Sequence, residues 1–158
     1  MADQKVRVLV ERRPGNRVRL RFLSRAPNAA SPGDTEHELG GGGDARVIVG
    51  SDLLGQEALL ASISLGQMQA YTALCARNGL SIEIYRDDAL CTLSDAGSES
   101  SRVRVVLRPR LVFRGHDTPA ARAAAIRLIN EALGQSVFFG APRIAIELEP
   151  VFEFQSPE

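Results

Sequence analysis

The chain has 158 residues, 44% hydrophobic and 24% charged, and its 19 basic and 19 acidic residues leave a formal net charge of +0. Such a length and composition fit one globular domain with a real core and exclude a chain disordered throughout. Charge balance also removes any overall electrostatic pull toward nucleic acid or an anionic membrane.

Two strands open the chain. Val6, Val8 and Val10 alternate with other residues over Lys5 to Arg12, and Val18, Leu20 and Phe22 alternate with Arg17, Arg19 and Arg21 over Arg17 to Leu23. Pro14, Gly15 and Asn16 between them make a hairpin turn. From Arg25 to Asp44 the chain is rich in Ala, Pro, Ser and Gly and ends in Gly40 to Gly43, which predicts a mobile loop. A short strand is expected over Arg46 to Val49, after which Ser51 or Asp52 caps a long helix that stops at Asn78 and Gly79. This helix is apolar on most sides, so several neighbours must cover it, as the central element of the core or of a subunit interface.

Leu80 to Leu93 and Arg102 to Arg114 read as the two longer strands of a hairpin, joined by the polar turn Ser94 to Ser101. Thr118 and Pro119 supply the cap and first residue of a second helix carrying Ala121, Ala124, Ala125, Leu128, Ile129 and Leu133. Gly134 interrupts it, and Gln135 to Phe139 leaves room for a further helical turn before Gly140 and Pro142. The last strand, Arg143 to Phe154, places Ile144, Ile146 and Leu148 on one face and Glu147 and Glu149 on the other. The fold class is α+β, not an alternating dinucleotide-binding fold. One domain is expected over 1–158: an N-terminal hairpin (1–24), the loop (25–45), a core (46–154) and a tail (155–158). The four-glycine run is not a phosphate loop, because it lacks a GKS/T ending and precedes a strand.

Two cysteines, Cys75 and Cys91, form neither a metal-like spacing nor a disulfide framework, which suits a reducing compartment. The opening MADQKVRVLVERR has no apolar signal-peptide region, and the apolar run Ala58 to Ala76 is interrupted by Ser62, Ser64, Gln67 and Gln69. A soluble cytoplasmic protein is the expectation, without association with membranes.

The order of elements, with ARNGL closing the long helix and a break ending the second, resembles the OsmC/Ohr family of hydroperoxide reductases. In that family a pattern like PEELLxAAxxxC leads to a reactive cysteine, and a glycine ends the helix thirteen residues later. Here the stretch is GQEALLASISLG, Gly55 to Gly66, with Gly79 at the same thirteen-residue spacing. The family's second cysteine begins a CPVS-like motif near the end of the second helix, where this chain has GQSVFFGAPRIAIEL. The resemblance covers Arg46 to Phe154. It implies antiparallel sheets around two helices, with the long helix buried in an intertwined homodimer, and no cofactor.

In the family the first cysteine attacks the peroxide, the second resolves the sulfenic acid, and a glutamate and an arginine position the reactants. By position the attacking cysteine corresponds to Gly66, the resolving cysteine to Gly134 and the glutamate to Gln56, while Arg46 falls at the arginine's distance from the helix start. The resemblance therefore implies the fold without the reaction, in a noncatalytic dimeric binding or structural protein related to oxidative-stress peroxidases. The alternative is a thiol-dependent hydroperoxide reductase with its chemistry relocated to Cys75 and Cys91. Cys75 follows Gly66 by nine residues, on the opposite side of the helix and ~13 Å along it. Both thiols otherwise read as inert core residues.

The two helical glycines admit two readings, close helix packing or open space for a small apolar ligand lined by Ile63, Leu65, Met68, Val137 and Phe138. His37 and His116 stand alone, without partners at metal spacing. The arginine stripes Arg17, Arg19, Arg21 and Arg102, Arg104, Arg108, Arg110 read as a solvated sheet face paired with Glu147, Glu149 and Glu153. A nucleic-acid surface is disfavoured because stacking aromatics are not interleaved with them.

Overall fold

The computed structural model describes residues 4–23, 35–39, 55–94 and 102–158. The first alternations form β1 (Gln4–Arg13) and β2 (Arg17–Phe22), antiparallel, with Val10 opposite Leu20. The turn between them is tight, and Gly15 lies there at φ 75°, a left-handed conformation that costs glycine nothing sterically. Composition predicts only a loop after β2, yet β3 (Thr35–Leu39) pairs antiparallel with it, Glu36 and Glu38 in register with Arg21 and Arg19. An edge partner's hydrogen bonds, invisible to composition, order that segment. The strand expected at Arg46 to Val49 and the cap expected at Ser51 or Asp52 lie outside the described residues.

The long helix is α1 (Gly55–Arg77), and it ends as expected. Leu80 N donates to Cys75 O (2.9 Å) and Gly79 N to Ala76 O (3.4 Å), with Gly79 at φ 73°, the paired closure that satisfies orphan carbonyls. Next comes β4 (Ser81–Ser94), the long central strand. The predicted strand Arg102 to Arg114 is two strands, β5 (Arg102–Leu107) and β6 (Pro109–Arg114), broken at Arg108; β5 pairs with the end of β4 and β6 with its start.

Thr118 Oγ1 accepts from Ala121 N (3.1 Å) and Pro119 follows, so α2 (Pro119–Gly134) begins at the expected cap. Gln135 to Phe139 forms turns, not a further turn of α-helix. The last predicted strand is also two, β7 (Ile144–Leu148) and β8 (Val151–Gln155), separated by Glu149 and Pro150.

Among the described residues the strands make one eight-stranded sheet ordered β3-β2-β1-β4-β5-β7, with β6 on β4 and β8 on β6. Pairing is antiparallel except for β5 with β7 and β6 with β8, which are parallel because the chain returns through α2. The core draws Val8, Tyr85, Cys91, Leu107, Leu111 and Phe113 from the sheet, and Leu60, Ile63, Tyr71, Leu128 and Ile129 from the helices. Each large apolar side chain so buried stabilises the fold by roughly 1.5–3 kcal/mol relative to exposure. Gln67 Nε2 donates to Ile129 O (3.1 Å) and Tyr71 Oη to Ala125 O (2.9 Å), so one turn forward in α1 is one turn back in α2 and the helices run antiparallel.

The other face of the sheet carries the expected ion pairs. Arg104 meets Glu147 (2.8 Å), Arg108 meets Glu149 (2.9 Å) and Arg110 meets Glu153 (2.7 Å). No helix among the described residues is long and apolar enough to cross a membrane.

Candidate functional site

The sequence of α1 holds no charged residue between Glu57 and Arg77. One side of it is buried, through Leu60, Ile63, Ser64, Gln67, Tyr71 and Cys75, while Ser62, Gly66, Gln69, Ala73 and Ala76 are exposed at spacings of three and four. A solvent-facing helix side ordinarily carries charge. This one is small and neutral.

Gly66 lies in that exposed row, and a Cβ added there meets nothing within 4 Å; the same holds at Gly134. Within one chain, therefore, neither glycine is required by a close neighbour. Extending the α1–α2 pairing by a turn sets Ile63 beside Leu133, so Gly134 lies about one turn, ~6 Å, from Gly66 along the helix axis. Of the residues expected to line a space there, Ile63, Leu65 and Met68 are buried in the core, Phe138 is half-buried at its margin, and Val137 is 88% exposed. Gln56 is half-buried at the start of α1, and Arg46 lies outside the described residues.

Cys75 and Cys91 are free thiols at 0% exposure. Burial pushes the Cys75 thiol up to about 11, a hydrogen bond with Tyr71 acting the other way, and burial raises Cys91 as well. Since the thiolate is the nucleophile, both are protonated and unreactive near neutral pH.

A second cluster, which sequence reasoning missed, lies between α1 and the sheet. Asp87 of β4 is at 0% exposure; Ser64 Oγ donates to its Oδ2 (2.5 Å) and Arg108 N to its Oδ1 (2.7 Å). Burial outweighs these bonds and pushes the Asp87 carboxyl up to about 6. Tyr85, two residues back on the same face, is fully buried, and its hydroxyl has no hydrogen-bond partner among the described residues. Its ring lies 6.4 Å from that of Tyr71, centre to centre. Burial raises both phenols far above their usual range. The overlooked signal was parity: Asp87 alternates in phase with Tyr85, Ala89 and Cys91, which puts a carboxylate at a core position.

His116 is exposed, its Nδ1 3.2 Å from Ser156 Oγ, and His37 sits in β3. Among the described residues no group of His, Cys, Asp and Glu is placed to hold a metal ion.

No family model matches the chain, and no curated protein matches it in sequence. Solved structures do match. An OsmC-like protein of unknown function from Vibrio cholerae superposes with a TM-score of 0.56 at 17% identity, covering 96% of this chain and 100% of the other. An OsmC-like protein from Mycoplasma pneumoniae superposes with a TM-score of 0.54 at 9% identity, covering 97% and 98%. The chain thus has an OsmC-like α+β fold, as the family resemblance implies.

Proposed function

We propose that this protein is a noncatalytic OsmC-like homodimer, a binding or structural protein that does not reduce peroxides. The observation that carries this reading is the absence of a nucleophile where the fold is open. Gly66 and Gly134, at the positions of the family's two cysteines, carry no side chain, while both thiols of the chain are buried and held protonated. A sulfenic acid needs an accessible thiolate. The uncharged exposed row of α1 supports a second copy as the cover for that helix. Two free thiols suit a cytoplasmic setting.

A small apolar ligand at Gly66 and Gly134 would meet an exposed surface bordered by the half-buried Phe138 and the exposed Val137, because Ile63 and Met68 are buried in the core and do not line it. The test is consumption of an organic hydroperoxide with a dithiol reductant, expected to match the rate without protein. Consumption that Cys75→Ser or Cys91→Ser abolishes would replace this reading with relocated thiol chemistry. Thermal melts with fatty acids and aromatic compounds test the ligand, and a flat response across the panel removes it.

A further inference from the structure

We propose that Asp87 is a proton-operated latch between α1 and the bend of the sheet, holding the Ser64 turn of the helix against Arg108 when protonated and loosening that contact when ionised. The geometry is that of a hinge. β5 gives way to β6 at Arg108, β7 gives way to β8 at Glu149 and Pro150, and Glu149 N donates to Leu107 O (2.9 Å), so both breaks fall on one row across the sheet. Asp87 sits on that row, in register with Val10 of β1 and Pro109 of β6, and its two oxygens join the helix to the bend.

The groups around it give its charge little support. From α1 it meets the neutral hydroxyl of Ser64, and from the bend the backbone N–H of Arg108, whose guanidinium is engaged by Glu149. On β4 the neighbouring Asp88 opposes its ionisation, and Arg108 favours it only from a distance. Burial first, and then Asp87, Tyr71 and Cys75, disfavour a second anion at Tyr85. From α2 the cluster meets the Ala125 carbonyl, which accepts from Tyr71. A carboxylate in this place has two neutral donors and no cation in hydrogen-bond contact among the described residues. Its desolvation is relieved by admitting water between α1 and β4. The protonated acid needs no such relief and can exchange a hydrogen bond with Ser64.

The chain carries its own reporter. It has two tyrosines and no tryptophan, and both tyrosines, Tyr71 and Tyr85, belong to this cluster. Near-ultraviolet circular dichroism of the full chain, followed from pH 4 to pH 8, is expected to show one tyrosine transition centred near the Asp87 value of about 6. In Asp87→Asn the transition is expected to vanish. Over the same range the unfolding equilibrium constant of wild type, relative to that variant, is expected to rise by about a hundredfold. If Asp87→Asn does not fold, Ser64→Ala keeps the carboxylate and removes a bond that lowers its pKa, and the tyrosine midpoint should move to higher pH. A flat tyrosine signal in wild type, a transition that persists in Asp87→Asn, or an unmoved midpoint in Ser64→Ala would each overturn the latch.

Discussion

Tyr71 and Tyr85 show how one hydroxyl can carry opposite signs at two buried positions. The Tyr71 hydroxyl donates to Ala125 O at 2.9 Å, tying α1 to α2, whereas that of Tyr85 is fully buried without a partner among the described residues. A hydrogen bond kept in the core contributes about 1 kcal/mol net, and a buried hydroxyl left unmet costs about 1–3 kcal/mol. Tyr71→Phe is therefore expected to lower the unfolding free energy by about 1 kcal/mol in chemical denaturation, and Tyr85→Phe to leave it unchanged or raise it. Equal losses in the two variants would show that the Tyr85 hydroxyl has an acceptor after all. Asp87 has a sign of its own. Its folded pKa of about 6 lies above the ordinary aspartate value of 3.8, so the folded state binds the proton more tightly. Its contribution is fully present below about pH 4 and is lost as pH rises through 6, amounting to roughly 2–3 kcal/mol. Asp88 works in reverse, because the Arg7 guanidinium holds it below the usual range, so its contribution is present above that range and lost as pH falls. The two trends together place the stability maximum on the acid side of neutrality, which melts at unit steps of pH would locate.

Among the elements, alternation showed which face each strand turns to the core but not where a strand stops. Val103, Val105 and Leu107 share parity with Leu111 and Phe113, and Ile144, Ile146 and Leu148 share it with Phe152 and Phe154. The pattern therefore runs through Arg108 and through Glu149–Pro150 without a sign of the breaks. At the first break Arg108 N donates to the Asp87 side chain, a tertiary contact that alternation does not encode, and the local hints were Pro109 and Pro150, which cannot donate to a ladder. The helix ends were more legible because their signals are local: Gly79 closes α1 and Thr118 opens α2 in the expected places. β3 was not legible, since its order comes from pairing with β2. Capping at α2 can be tested alone. Thr118→Ala should cost about 1 kcal/mol, because Ala121 N loses its acceptor, and Thr118→Ser should restore most of it. Equal melting temperatures for the three proteins would mean that Pro119 and packing alone fix the start of the helix.

At the scale of the whole molecule, the question is what covers the outer row of α1. Ser62, Gly66, Gln69, Ala73 and Ala76 face outward from a helix whose other side is core, and Val137, Phe139 and Ile126 add apolar surface on and beyond α2, at 88%, 56% and 50% exposure. Uncharged and apolar surface left exposed marks an association site where it forms a patch. Small residues in the row let another backbone approach closely, which is a use for glycine at position 66 that a single chain does not reveal. Gly66→Ala and Gly66→Glu separate the cases. In an isolated chain the added methyl meets nothing, so Gly66→Ala should stabilise by up to about 1 kcal/mol through helix propensity. Against a close-packed second copy it should instead destabilise by roughly 1–3 kcal/mol. A glutamate at that point is tolerable in solvent but not between two copies. Light scattering of wild type is expected to give twice the chain mass, and Gly66→Glu is expected to shift it to the single-chain mass while far-ultraviolet circular dichroism stays native. A wild type that scatters as one chain at micromolar concentration, together with a stabilised Gly66→Ala, would sink the dimer and leave the neutral row of α1 as surface for a different partner.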